Sequence, residues 1–148
     1  MPSGLTHDLH KLTALLDRAA DGLLRQHEGV SYSRFLALFA VGESGGSQRD
    51  VARWLGLTEP STSRMVSVLA TDGLLTVTRT AGAGNRRQLR LTRDGAALVK
   101  RCGALLESRF ELLVHDSGVP YKTYQRHTRR LLDHLDAPQV DLLPRGAA

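Results

Sequence analysis

Apolar residues recur at Leu5, Leu9, Leu12, Leu16, Ala19 and Leu23, a three-and-four spacing that places them on one face of a helix from Leu5 to about Leu24. Leu15 and Leu24 widen that stripe, so the helix needs a broad apolar neighbour. A second apolar run, Phe35, Leu36, Leu38, Phe39 and Val41, follows two residues able to cap its start, Ser31 or Ser33, and ends at the glycines of "GESGGS", 42–47. Ser47 then heads a short helix, "QRDVARWL", stopped by Gly56, a residue suited to the left-handed turn that ends helices. The next helix begins in "TEPSTSRMV", 58–66. Thr58 is its cap, Glu59 suits the positive end of the helix dipole, and Pro60 is tolerated in the first turn, where no intrahelical N–H is needed. That helix should reach about Asp72, with Gly73 as its stop.

The period then changes from helical to alternating. "LLTVTRT" and "QLRLT" predict two β-strands around "AGAGNRR", a hairpin with a basic, glycine-rich tip. Leu98, Cys102, Leu105, Leu106, Phe110 and Leu113 return to helical spacing between Asp94 and about His115. Gly118 and Pro120 interrupt that helix, and a last one carries Tyr121, Tyr124, Thr128, Leu131 and Leu135. The fold class is therefore mainly α with a small β-ribbon (α+β). With 148 residues the chain forms a single domain, 1–148. Its core is expected at about 31–92, its flanking helices at about 5–27 and 93–136, and a flexible tail at 137–148.

Two short helices joined by a glycine turn make a helix-turn-helix, whose second helix enters the DNA major groove. Projected at 100° per residue, Thr62, Met65, Val66 and Leu69 share one face of that helix, expected to pack on Val51, Ala52, Leu55 and Leu57. Pro60, Ser63, Arg64 and Ser67 share the other. Small hydroxyls allow close approach to a duplex, and an arginine grips guanine with two hydrogen bonds. Arg64 is the expected base reader, with Ser61, Ser63 and Ser67 secondary and Ser47 and Gln48 setting a helix N-terminus against phosphate.

Charge strengthens this picture. The chain carries net charge +5 with pI near 10.0. Between Arg79 and Arg101 seven basic residues (Arg79, Arg86, Arg87, Arg90, Arg93, Lys100, Arg101) face one acid, Asp94, a local +6. Positive charge therefore gathers at the hairpin beside the helix-turn-helix, as expected of a nucleic-acid binder. Arg86 or Arg87 on the tip suits a minor groove or a flanking phosphate. Helix-turn-helix plus basic ribbon is a winged helix.

Other chemistry finds little footing. The single cysteine, Cys102, excludes an intramolecular disulfide and falls at a core-spaced position, where an inert thiol is expected. His7 with His10, His127 with His134, and Glu107 with Glu111 and His115 share helix faces without a dense ligand pattern, so neither metal nor other cofactor is expected. Trp54 and the aromatics Phe35, Phe39, Tyr121 and Tyr124 are expected to pack. No phosphate loop or nucleophile motif points to an enzyme. No apolar run approaches the ~20 residues of a membrane helix and the N-terminus lacks a signal peptide's apolar stretch, so a cytoplasmic location is expected.

At "VARWLGLTEPSTSRMV" (51–66), "LATDGLL" (69–75) and "LRLTRDG" (89–95) the chain resembles the MarR family of bacterial transcription regulators. The order of elements follows that family over roughly 5–136. The resemblance implies a homodimer joined by helices from both chain ends, two winged helices in successive major grooves of a pseudo-palindrome, and a small-molecule effector. The residues it implies at DNA are Ser47, Gln48, Thr58, Pro60, Ser61, Ser63, Arg64, Ser67, Arg79, Asn85, Arg86 and Arg87. One departure stands out: the family's wing carries Asp-x-Arg, the aspartate orienting the arginine, whereas the nearest match here is Asn85-Arg86-Arg87 and the tip holds no aspartate. Leucine at both chain ends independently exceeds what a monomer of this size covers. The alternative function is an architectural DNA-binding protein that neutralises phosphates with little sequence preference.

Overall fold

The computed structural model describes residues 4–79 and 86–137. Contacts divide the chain into two compact units, Met1–Leu106 and Glu107–Ala148.

The first unit begins with α1 (Leu5–Glu28), one turn longer than its apolar stripe, and closes on Gly29 in the left-handed conformation. Asp21 shapes the corner that follows. Its carboxylate accepts from Arg25 Nε at 2.7 Å and from the Tyr32 backbone N–H at 2.9 Å, and the Arg25 hydrogen bond above all holds its carboxyl below the usual carboxylate range. Helix α2 (Tyr32–Glu43) is capped by Ser31, not Ser33, which accepts from the Arg34 N–H at 3.2 Å. The expected boundaries of the next pair hold closely. Helix α3 (Gln48–Leu55) is capped by Ser47, and α4 (Glu59–Thr71) by Thr58, whose Oγ1 accepts from the Ser61 N–H at 3.3 Å. Between them Gly56 takes φ 66°, a conformation costly for other residues, so the chain reverses and the Leu57 N–H reaches back to the Ala52 carbonyl at 3.0 Å.

Strands β1 (Leu75–Arg79) and β2 (Arg87–Leu91) pair antiparallel, with Leu75 opposite Leu91, Val77 opposite Leu89 and Arg79 opposite Arg87. The ribbon is tied to the loop after α2. Ser47 bridges to Gln88, the Leu89 N–H donates to the Gly46 carbonyl at 2.6 Å, and Gln88 Nε2 donates to the Gly45 carbonyl at 2.6 Å. Thr92 then starts α5 (Arg93–Asp116): its Oγ1 accepts from the Gly95 N–H at 3.0 Å and donates to the Gly73 carbonyl at 2.7 Å. One threonine caps a helix and fastens it to the turn after α4.

The core of this unit gathers Leu24, Phe35, Leu38, Val41, Val51, Val66, Leu69, Leu75, Leu89, Leu98 and Cys102. Burial pushes the Cys102 thiol above its ordinary range, as its core spacing predicts. Phe35 is buried and Phe39 half-buried, while Trp54 packs at a tilt of 55° against Phe39, 5.7 Å between ring centres, yet stays 47% exposed. On α1 only Ala20 and Leu24 are buried, leaving Leu5, Leu9 and Leu15 open to solvent in the single chain.

The second unit holds the end of α5 and α6 (Tyr121–Leu135). No residue of α6 is buried: Tyr121 and Tyr124 are half-buried rather than core, and Leu131, Leu132 and Leu135 are exposed, as are Leu112 and Leu113. The Tyr121 hydroxyl donates to the Glu107 carboxylate. The expected flexible tail at 137–148 lies outside the described residues, apart from Ala137. No helix among them is long and apolar enough to cross a membrane.

Candidate nucleic-acid interface

Helix α4 divides its two faces much as its sequence predicts. Thr62, Val66 and Leu69 are buried; Pro60, Arg64 and Ser67 are exposed. Thr62 is only 1% accessible, and its hydroxyl is satisfied by the Thr58 carbonyl at 2.9 Å. Met65 is half-buried and packs against the core. One inward assignment needs correction: Leu57 is 41% exposed, because the left-handed turn at Gly56 directs the chain outward before α4 begins.

The exposed side of α4 is a chain of short hydrogen bonds. Thr58 Oγ1 donates to Ser61 Oγ at 3.1 Å, and Arg64 Nη2 donates to the same oxygen at 3.2 Å. Arg64 is thus folded back by one turn onto Ser61, at the surface, in bonds weak enough to exchange for a base edge. Ser67 Oγ donates to the Ser63 carbonyl at 3.0 Å and keeps its lone pairs as acceptors. Thr58 and Ser61 therefore act first on α4 itself, as cap and as arginine rest. A depression of about 360 Å³ beside them is lined by Ser31, Ser33, Arg34, Ser61, Arg64, Met65 and Val68.

The ribbon meets this helix from the other side. Side chains alternate along a strand, so Arg87 shares the face of buried Leu89, and its Nη1 reaches Ser63 Oγ at 3.3 Å. Arg79 stands directly opposite Arg87 in the ladder, a like-charge pair that is unfavourable without an anion. Asn85 lies outside the described residues. Arg86 and Arg87 also line a cleft of about 480 Å³ with Ser47, Gln48, Arg49, Asp50, Arg53 and Glu59. Arg49 pairs with Glu59 at 3.4 Å and Arg53 with Asp50 at 3.3 Å, whereas Arg86 and Arg87 have no carboxylate partner among the described residues. Positive charge in the cleft thus comes from the wing. Gln48 Oε1 is buried there with no hydrogen-bond donor among the described residues.

The structure therefore brings together Ser47, Gln48, Arg86 and Arg87 at one cleft, and Ser63 with Arg87 across it. Arg49, Asp50, Arg53 and Glu59 were not singled out from the sequence. Their signal was present in the three- and ten-residue separations of opposite charges around the α3–α4 turn. Gln88, the clamp on Gly45, leaves no such local trace. Among the described residues no three His, Cys, Asp or Glu side chains gather as metal ligands.

Residues 28–88, the segment that carries this geometry, match the model of the MarR family. Over that segment the chain is similar to the MarR family and has its winged-helix fold. Solved structures agree on the fold. Wild-type MarR from E. coli in its apo form superposes with TM-score 0.76 at 15% identity, covering 92% of this chain and 99% of that one. MepR from S. aureus in a complex with DNA gives 0.70 at 20% identity, covering 93% and 99%. CouR from Rhodococcus jostii RHA1, bound to p-coumaroyl-CoA, gives 0.76 at 20% identity, covering 94% and 96%. A comparison with the curated proteins finds no match. At such identities the likeness to the MarR-type structures is one of fold, and function rests on the residues of this chain.

Proposed function

We propose that this chain is a DNA-binding transcription regulator, a binding protein rather than an enzyme, that acts as a homodimeric repressor on a pseudo-palindromic operator under the control of a small ligand. The observation that carries this reading is the meeting of α4 and the wing. The outward side of α4 offers Arg64 with exposed Pro60 and Ser67 and half-buried Ser61 and Ser63, and the wing's Arg87 ends on that same helix, at Ser63. A duplex supplies what the site lacks: phosphates for Arg79, Arg86 and Arg87, and base edges for Arg64.

In this account Arg64 reads bases with help from Ser61 and Ser67, Ser63 is turned to the wing arginine Arg87, and Pro60 leaves room for the groove wall. Ser47 and Gln48 bring the N-terminus of α3 to phosphate, where its free N–H groups favour an anion. Arg79, Asn85, Arg86 and Arg87 hold the flanking minor groove or its phosphates. The MepR complex with DNA supports the partner, and CouR with its acyl-CoA supports a small effector. The open leucines support a second copy of this chain. Leu5, Leu9 and Leu15 on α1, and Leu131, Leu132 and Leu135 on α6, are apolar surface that water disfavours. A two-fold dimer covers both sets and sets its recognition helices about 34 Å apart, one turn of DNA.

Sedimentation of the purified protein with a short mixed-sequence duplex tests the reading. Two chains per duplex, with binding that weakens as salt rises, is the expected result. A monomer that leaves DNA free even at low salt would contradict it.

A further inference from the structure

The wing tip carries no acidic residue between Thr80 and Asn85, so no carboxylate of the tip can hold a wing arginine. Some other acceptor must hold the guanidinium, or it is not held at all. Strand alternation sends Arg87 to the inner face of the ribbon, beside Leu89 and opposite Arg79. There Nη1 donates to Ser63 Oγ at 3.3 Å, in a part-buried bond spanning 24 positions of sequence. Ser63 is itself half-buried on α4, and the Ser67 Oγ bond goes to its backbone carbonyl, at 3.0 Å, so its own hydroxyl remains available to Arg87. Arg86 differs. It is exposed and makes no hydrogen bond among the described residues.

We propose that Ser63 is the positioning residue for Arg87, so that the recognition helix itself holds the wing arginine in the attitude in which it meets DNA. The inference rests on the DNA-binding reading above and assigns the two wing arginines different parts. Arg87 uses one of its five N–H donors on Ser63 and turns the remainder to a phosphate at the edge of α4. Arg86, unrestrained, is the arm that reaches outward. A wing held this way has a second tie to the recognition helix, beside the turn at Gly73 that joins α4 to β1.

The test compares wild type with Ser63→Ala, Ser63→Thr, Arg87→Ala and the double variant S63A/R87A, all carrying an exposed or half-exposed change that leaves the core intact. Without DNA, the Arg87 Nε–H side-chain NMR signal is expected to be motionally restricted in wild type and S63T and mobile in S63A. Equal mobility in all three overturns the proposal. On a duplex selected by the wild type, S63A is expected to weaken binding about three- to tenfold, the range of one lost hydrogen bond. Its salt slope should be unchanged, because Arg87 keeps its charge. R87A is expected to weaken binding further and to flatten the slope by about 0.9, one phosphate contact. The double variant should be no weaker than R87A alone. Multiplicative losses in the double variant would mean that Ser63 touches DNA on its own account, and would also overturn the proposal. If the wild type retained no duplex, the DNA-binding reading would fall, while the side-chain mobilities would still decide whether Ser63 holds Arg87.

Discussion

The base-reading role proposed for Arg64 falls on the open side of α4, where the one side-chain bond it makes among the described residues, to Ser61 at 3.2 Å, is one a base edge can replace. Replacing Arg64 by alanine should cost about 1–3 kcal/mol at the true operator and far less on random duplex, measured as the ratio of the two affinities. An unchanged ratio would remove Arg64 from that role. Tyr121 offers a second test, independent of DNA. Its hydroxyl donates to the Glu107 carboxylate, and that bond, followed by lost solvent and the charges of Glu107 and Glu111, pushes the phenol up to about 12. The protonated form is the one the fold favours. Its contribution is therefore fully present below the ordinary value of 10.0 and is lost as pH rises through about 12. Following phenolate absorbance through that window should show a late-titrating tyrosine that disappears in Tyr121→Phe; a native protein whose tyrosines all titrate near 10.0 would contradict the bond.

The elements were legible wherever their ends are written locally. Ser47, Gly56 and Thr58 fix α3 and α4 within single turns, so caps alone located the helix-turn-helix. The end of α1 was not legible from its apolar stripe. Residues 25–28 are polar, and what stops the helix is Gly29 and the corner tied by Asp21 to Tyr32. Leu57 was misplaced for a related reason: helical projection has no meaning inside a left-handed turn. Strand β2 begins at Arg87, one residue before its apolar pattern, because its backbone pairs with Arg79 in the ladder, and the Arg87 side chain then reaches Ser63 on α4. That link crosses 24 positions, and neither period nor spacing reports it. The "LTRDG" motif, by contrast, gains a physical reason. Thr92 caps α5, and a Cβ at Gly95 would collide with the Leu74 carbonyl. Gly95→Ala should therefore destabilise the fold by about 1–3 kcal/mol, read as a lowered denaturant midpoint. A midpoint equal to wild type would show that α5 does not sit so close to that turn.

For the whole molecule, the basic balance and the open leucines point to two different partners. The local excess near the wing, with Arg86 and Arg87 unpaired by carboxylates among the described residues, asks for a polyanion. Exposed Leu131 and Leu132 on α6 ask for apolar cover. Leu131→Glu should convert a dimer to monomers in sedimentation while leaving the helical content of the chain intact; a dimer that persists would place the interface elsewhere. Loss of pairing should also cost DNA affinity, since two recognition helices then no longer bind as one unit. The most direct test of the central claim is selection of the purified protein on a random-sequence duplex pool at about physiological salt, with the retained DNA sequenced. The account predicts an inverted repeat with half-sites about one helical turn apart. Retention without any enriched sequence, collapsing as salt rises, would contradict it and leave a phosphate-binding architectural protein in its place.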